Sequence, residues 1–258
     1  MNELKLKNKS NLISVIMSVC NDKKTVSRSI TSILDQTYKN FEFLIMNDGS
    51  EDNTQFVLDT FKEKDRRIKL FKNSYIKGLS YSLNFLIKKS RGEYIARMDS
   101  DDFSLPSRLE KQIDFMNYNK NIDVLGTGAI IVDKNNKKIL LKDEKHQNIK
   151  SNIFITSPFV HPTVMARKNF FRKDQFYNLK YRYCQDYELW FRSINSNTFH
   201  NLPEPLLEYN LSKKTLHKKL INSLTIRYKY SKNIKEFFIA TKWNLIQIIY
   251  TVKNIIAN

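Results

Sequence analysis

Three short polar clusters and one histidine carry the residue types that could do chemistry. Asp99-Ser100-Asp101-Asp102 packs three carboxylates into four residues, and such groups repel one another unless a cation or solvent relieves them. In extended chain, residues i and i+2 point the same way. Asp99 and Asp101 can therefore share one divalent ion, with water and a diphosphate completing its oxygen shell. A solvated acidic turn or helix cap is the other reading, and for an isolated pair it is the better one. Asn47-Asp48-Gly49-Ser50 is either a plain turn, Asp-Gly being strong turn chemistry, or a carboxylate offered to a base or ribose. In Gln185-Asp186-Tyr187-Glu188-Leu189-Trp190 a carboxylate opens an amphipathic segment. Asp186 either complements a helix N-terminus or takes a proton from a sugar hydroxyl as general base. His161-Pro162 is either a structural pair before a strand or a contact to diphosphate or metal.

The surrounding pattern says what must position these groups. Residues 13–20 and 41–50 are apolar, β-branched runs of the buried-strand type, followed by shorter strands over 68–72 and 93–98. Between them, helical spacing covers 24–36, 54–64 and 78–89, and Pro106 opens a further helix to about 117. This fourfold strand–helix alternation argues a parallel sheet with helices on both faces. Ligands of such sheets bind at the carboxyl ends of the strands, where Cys20-Asn21-Asp22, Asn47–Ser50 and Asp99–Asp102 all fall. After residue 120 the pattern changes. A strand pair is expected over 122–132 and 137–142 around Lys134-Asn135-Asn136. A strand follows at 159–166, a helix at 184–195, and extended chain kept irregular by Pro203 and Pro205 at 198–210. From about 215 the chain reads helical.

In order along the chain, these segments resemble the family 2 glycosyltransferases of the GT-A fold. ISVIMSVCND is similar to the family's opening strand, SILDQTYKNFEFLIMNDGSEDNT to its helix–strand–turn, and GEYIARMDSDDFSLPSRLEKQ to its DxD region. FVHPTVMAR and CQDYELWFR are similar to its acceptor-side segments, so the likeness runs from about 12 to 195. Ser18 stands for the usual proline, Cys20 for an aromatic, and Asp22 and Gln185 for glutamates. The resemblance implies an inverting hexosyl- or N-acetylhexosaminyltransferase, with a nucleotide-diphosphate sugar, UDP by default, as donor and Mn2+ or Mg2+ as cofactor. It implies that Val19, Asn21, Asp22 and Asp48 contact the nucleotide, with Arg97, Asp99 and Ser100 near the ribose and phosphates. Asp101, Asp99 and His161 are its metal candidates, and Asp186 its general base. The implied acceptor is a glycan or lipid-linked glycan of surface polysaccharide biosynthesis.

With 258 residues, 41% hydrophobic and 27% charged, the chain can bury a real core. Two cysteines outside any CxxC exclude a disulfide framework or zinc finger and suit a reduced, cytoplasmic protein. Met1–Ser10 lack the apolar core of a secretion signal, and no uncharged apolar run reaches membrane-spanning length. The expected division is a GT-A domain over 1–210, with a nucleotide-sugar half at 12–120 and an acceptor half at 121–210, and a basic helical tail over 211–258. The net charge is +18, and ten Lys/Arg against Glu236 alone put +9 of it in that tail. The tail also holds the apolar run Trp243–Tyr250, with Leu245, Ile249, Val252 and Ile256 on one helical face. It either lies on an anionic inner leaflet, tuning attachment rather than chemistry, or packs on protein. A sugar nucleotidyltransferase is disfavoured by the lack of glycine in SVCNDKKT after the first strand. A nucleic-acid binder is suggested by charge alone, and the clustered acids would repel its phosphates, so no nucleic-acid partner is expected.

Overall fold

The computed structural model describes residues 11–133, 136–142, 144–172, 175–210, 216–233, 236–239 and 241–242. The first half alternates as expected: β1 (Ile13–Val19), α1 (Val26–Leu34), β2 (Phe41–Asp48), α2 (Thr54–Lys64), β3 (Ile68–Asn73), α3 (Leu79–Lys89) and β4 (Tyr94–Asp99). Then come β5 (Phe103–Ser104), α4 (Arg108–Tyr118), β6 (Val124–Asp133), β7 (Asn136–Leu140), α5 (His146–Asn152), β8 (Met165–Arg167), α6 (Gln185–Ser193), β9 (Phe199–Asn210) and α7 (Leu216–Tyr230). The strands form one sheet in the order β3-β2-β1-β4-β8-β6-β9-β5, with β7 paired to β6. β3, β2, β1 and β4 are parallel, β8 runs antiparallel to β4 and β6, and β9 runs parallel to β6. The sheet is therefore mixed.

The period-two alternation of the strands sorts side chains into two cores. Ile13, Val15, Met17 and Val19 of β1 pack with Val26, Ile30, Ile33, Leu58, Leu109 and Ile113 on one face. Ile16, Leu44 and Met46 pack with Leu83, Leu86, Trp190 and Phe199 on the other. The chain passes from β1 to β2 on one side and returns to β4 on the other. That reversal opens a crevice at the carboxyl ends of β1 and β4, where Ser18 lies beside Asp99.

Two segments depart from expectation. The strand expected at 159–166 is a 3-10 turn at His161–Thr163 followed by the short β8, because Pro162 has no N–H for a ladder. As expected, 199–210 is extended and irregular at its prolines. Its register with β6 skips between Thr127 and Gly128, opposite Pro203 and Pro205, and this irregularity accommodates the missing donors. The tail does not hang outside the domain: Ile226 and Arg227 of α7 are buried. Trp243–Tyr250, Leu245, Ile249, Val252, Ile256 and most of the expected turn at 134–136 lie outside the described residues. No helix among the described residues is long and apolar enough to cross a membrane.

Candidate functional site

The loops after β1 and β2 are tied together by Asn21. Its left-handed backbone (φ 52°) lets Oδ1 accept from Glu51 N at 2.8 Å while its own N–H donates to Ser50 Oγ at 3.0 Å. Asp22 donates its N–H to Thr54 Oγ1 at 2.9 Å and accepts the Thr25 hydroxyl on its carboxylate. Val19 is buried under α1, so only its backbone is open to a ligand. Asp48 is also buried. Its Oδ1 accepts from Asn73 Nδ2 (2.7 Å) and Lys77 N (3.0 Å), and its Oδ2 from Gly78 N (2.8 Å). Those bonds set the loop that enters α3. At Gly49 (φ 68°) a Cβ would fall 2.5 Å from Ile76 N, so the turn reading of Asp48-Gly49 has a steric basis.

At the end of β4, Asp99, Asp101 and Asp102 bring carboxylate oxygens within 4.8 Å of one another. α1 holds this loop from below: Ser29 Oγ donates to Ser100 O at 2.8 Å and to Asp102 O, and Thr25 Oγ1 to Ser100 O at 3.2 Å. β9 holds it from the side, with Asn210 N donating to Asp102 Oδ1 at 2.8 Å. Burial, Asp99 and Asp22 push Asp101 up to about 6, and burial with Asp99 pushes Asp102 up as well. The buried Asp102 Oδ2 has no hydrogen-bond partner among the described residues. Crowded carboxylates with raised pKa values and an orphaned oxygen fit a divalent cation: its charge relieves the repulsion, and oxygen donors suit Mg2+ or Mn2+. His161 lies outside this triad. Burial and then Arg97 hold its pKa well below the usual value, so it is neutral, with Nε2 on the Tyr177 hydroxyl at 2.8 Å. Arg97 is buried and pairs with Asp99, whose charge outweighs the burial that disfavours the guanidinium. Arg108 lies beneath, donating from Nη1 to Arg97 O (3.2 Å) and Pro162 O (2.6 Å).

Arg97 and Asp99 also face a cavity of about 570 Å³ whose wall includes His161, Gln185 and Asp186. α6 starts from Cys184, itself left-handed (φ 57°), which brings Asp186 to the first turn with its carboxylate in the cavity. Burial pushes Asp186 up; the helix amides, Arg97 and Lys219 pull it back. The fold thus brings Asp99 and Asp186 to one space although they lie 87 positions apart in the chain. Sequence reasoning missed other lining residues: Tyr209 of β9, Arg182 of the turn before α6, and Lys219, Ser223 and Arg227 of α7. Arg227 donates to Tyr187 Oη (3.2 Å) and Ile155 O (3.0 Å), and Tyr230 Oη to Glu188 (2.7 Å). α7, the first helix of the basic tail, therefore lines the same cavity as Asp186.

The model of the family described as Glycosyl transferase family 2 matches residues 14–200, and the chain belongs to that family. It is a glycosyltransferase with the GT-A fold. It is 38% identical over 212 residues to the O-antigen biosynthesis glycosyltransferase WbnJ of Escherichia coli, covering 80% of this chain and 82% of WbnJ. It is 35% identical over 187 residues to the UDP-Glc:alpha-D-GlcNAc-diphosphoundecaprenol beta-1,3-glucosyltransferase WfgD of the same species, covering 72% and 71%. Among solved structures, S. aureus TarS 1-349 in complex with UDP-GlcNAc superposes with a TM-score of 0.69 at 16% identity, over 90% of this chain and 71% of that one. The longer TarS chain is matched over only 42% of its length. The mannosyltransferase PcManGT of Pyrobaculum calidifontis, in complex with GDP-Man and Mn2+, gives 0.68 at 12% identity over 95% and 75%.

Proposed function

We propose that this enzyme transfers a sugar from a UDP-sugar, with inversion, to a glycan or lipid-linked glycan acceptor in surface polysaccharide biosynthesis, as a peripheral protein on the inner face of the cytoplasmic membrane. The observation that carries the reading is the single cavity onto which Asp99, Arg97 and Asp186 open. In it, the acceptor hydroxyl oxygen attacks the anomeric carbon while an Asp186 carboxylate oxygen takes its proton. The bond to the diphosphate breaks with its electron pair leaving on the nucleotide, through an oxocarbenium-like state. Asn21, Asp22 and the remaining acceptor position of Asp48 serve the nucleoside, with the Val19 backbone beside them. Ser100 and Arg97 serve the ribose and phosphate side, and Arg97 pairs with Asp99. Asp101 and Asp99, with Asp102 beside them, would hold Mn2+ or Mg2+. Held by these carboxylates, the cation would supply positive charge against that growing on the leaving diphosphate. His161 faces the same cavity as a neutral ring, suited to a metal or phosphate contact.

The WfgD name specifies a UDP-glucose donor and a lipid diphosphate acceptor, and the TarS complex holds UDP-GlcNAc; both support a UDP donor here. The test is the anomeric configuration of the product, read by NMR, for the wild type and Asp186→Asn. Inverted product is expected. The variant should lose about a hundred- to ten-thousandfold in kcat with little change in donor KM. Retained configuration overturns the single displacement, and wild-type turnover in the variant reduces Asp186 to a helix cap.

A further inference from the structure

The cavity carries an excess of cations: its lining includes Arg97, Arg182, Lys219 and Arg227 against the carboxylates Asp99 and Asp186. Arg227 is committed to Tyr187 and Ile155. Arg182 and Lys219 differ: among the described residues neither is in an ion pair with a carboxylate, and Arg182 is exposed while Lys219 is half-buried. Their backbones are nonetheless fixed. Asn222 Nδ2 of α7 donates to Tyr183 O at 3.0 Å, and Cys184 Sγ donates to Lys219 O at 3.3 Å. The turn carrying Arg182 is thereby clamped to the helix carrying Lys219. A lining with this excess of cations, two of them outside any ion pair among the described residues, is a poor match for a neutral glycan and a good one for an anion.

We infer that the α7 end of the cavity is an anion subsite in which Lys219 and Arg182 hold the phosphate or diphosphate group of the acceptor. This rests on the reading of Asp186 as the base that receives the acceptor hydroxyl. Lys219 and Arg182 line the same cavity as Asp186, so a phosphate on the acceptor sugar can be held there while its hydroxyl meets the base. Lys219 supplies a mobile point charge and Arg182 a planar fork, and together they orient the acceptor as well as anchor it. The donor diphosphate has the same chemistry but is assigned to the acidic triad, where it needs a cation; the α7 wall needs none.

That difference supplies the experiment. Binding of decyl diphosphate to the full chain is measured by calorimetry in chelator, beside decanol and UDP. Wild type should bind decyl diphosphate, and Lys219→Ala and Arg182→Ala should each weaken it about tenfold or more, as expected for loss of a charge-assisted contact. Asp101→Asn should leave this binding unchanged. In transfer assays, the preference for a sugar diphosphate lipid over the same sugar as a neutral glycoside, taken as the ratio of kcat/KM, should fall toward unity in both variants. Decanol binding as well as decyl diphosphate overturns the subsite, as does loss of UDP or donor affinity in place of acceptor affinity. So does an equal loss on both acceptors in Arg182→Ala, whose exposed side chain spares the fold. If wild type binds decyl diphosphate but transfers to no acceptor, the catalytic reading fails and the anion subsite stands.

Discussion

As the proposed base, Asp186 must be an anion to accept a proton, yet it sits where burial favours the neutral acid. A pKa raised in this way makes it a stronger base and sets a lower pH limit on transfer. The base form dominates only above the raised value, so kcat should fall with acidification along a limb centred above about 4, the ordinary aspartate value. Lys219 is among the groups that hold the value down, so Lys219→Ala should move that limb to higher pH. A pH profile on a neutral acceptor checks both; a limb at or below the ordinary value would remove the desolvated base. Asp101 makes a second residue-scale case. Burial and the neighbouring Asp99 and Asp22 charges disfavour its ionised form, so the fold holds it for a ligand at some cost to itself. Asp101→Asn should leave the metal-free melting temperature at or above that of wild type. It should abolish the rise that Mn2+ with UDP gives the wild type and nearly abolish transfer. Thermal shift measurements decide this: an undiminished rise in the variant would remove Asp101 from the cation site. The residue types at these positions were legible in the sequence. What could not be read there was how the fold had already engaged them, such as the three hydrogen bonds on Asp48 or the left-handed backbone at Asn21 that joins two loops.

Among the elements, the four parallel strands need a device to fix their amino ends, opposite the site. Glu42 of β2 supplies it, taking Ser14 Oγ of β1 (2.7 Å), Lys69 Nζ of β3 (2.6 Å) and the Arg91 N–H ahead of β4 (2.7 Å). Burial works to raise its pKa, but these donors prevail and bring it down to about 2. For a carboxylate whose folded value is depressed, the stabilisation is complete above the unfolded value near 4.5 and is lost as pH falls toward 2. Glu42→Gln should therefore be less stable than wild type at neutral pH, with the gap closing through that window. Denaturant unfolding at several pH values tests this, and a pH-independent gap would assign the loss to packing alone. The strand–helix alternation from 13 to 118 was legible because each element carries its own period and its turn residues. The second half was less so. β5 is two residues long and exists through pairing with Leu207 and Glu208; α5 is a seven-residue helix with Ile149 as its one buried side chain. Neither has a period to read. The role of α7 was hidden for a related reason: Lys219 looks in sequence like part of a solvated basic face, and only tertiary packing turns it into a cavity.

The whole molecule has to bring this cavity to its acceptor, and its surface shows how that can be done. α7 presents opposite characters on its two sides. One side buries Ile226 and Arg227 against the domain; the other exposes Ile221 and Tyr228, with Phe237 and Phe238 beyond them also exposed. Tyr228 and Phe237 lie ring to ring at 5.4 Å, so the apolar groups are gathered, and Lys218, Lys229 and Lys232 are in the same stretch of chain. Aromatics among lysines suit the headgroup region of an anionic leaflet, where each basic side chain contributes about 1 kcal/mol. The charge part of that attraction is screened by salt, while the apolar part is not. The two can therefore be separated by co-sedimentation of the full chain with vesicles rich in phosphatidylserine. Wild type should sediment at low salt and be partly released at high salt. Phe237→Ser with Phe238→Ser should lose the salt-resistant fraction and keep the salt-sensitive one, because no charge is removed. Neutral phosphatidylcholine vesicles should capture far less of either protein. Attachment through this surface would hold the α7 end of the cavity near the leaflet, within reach of a sugar on a lipid diphosphate, while the donor loops after β1, β2 and β4 remain open to nucleotide from solution. Wild-type protein left in the supernatant with anionic vesicles at low salt would reject the membrane role and leave this aromatic surface to contacts with protein.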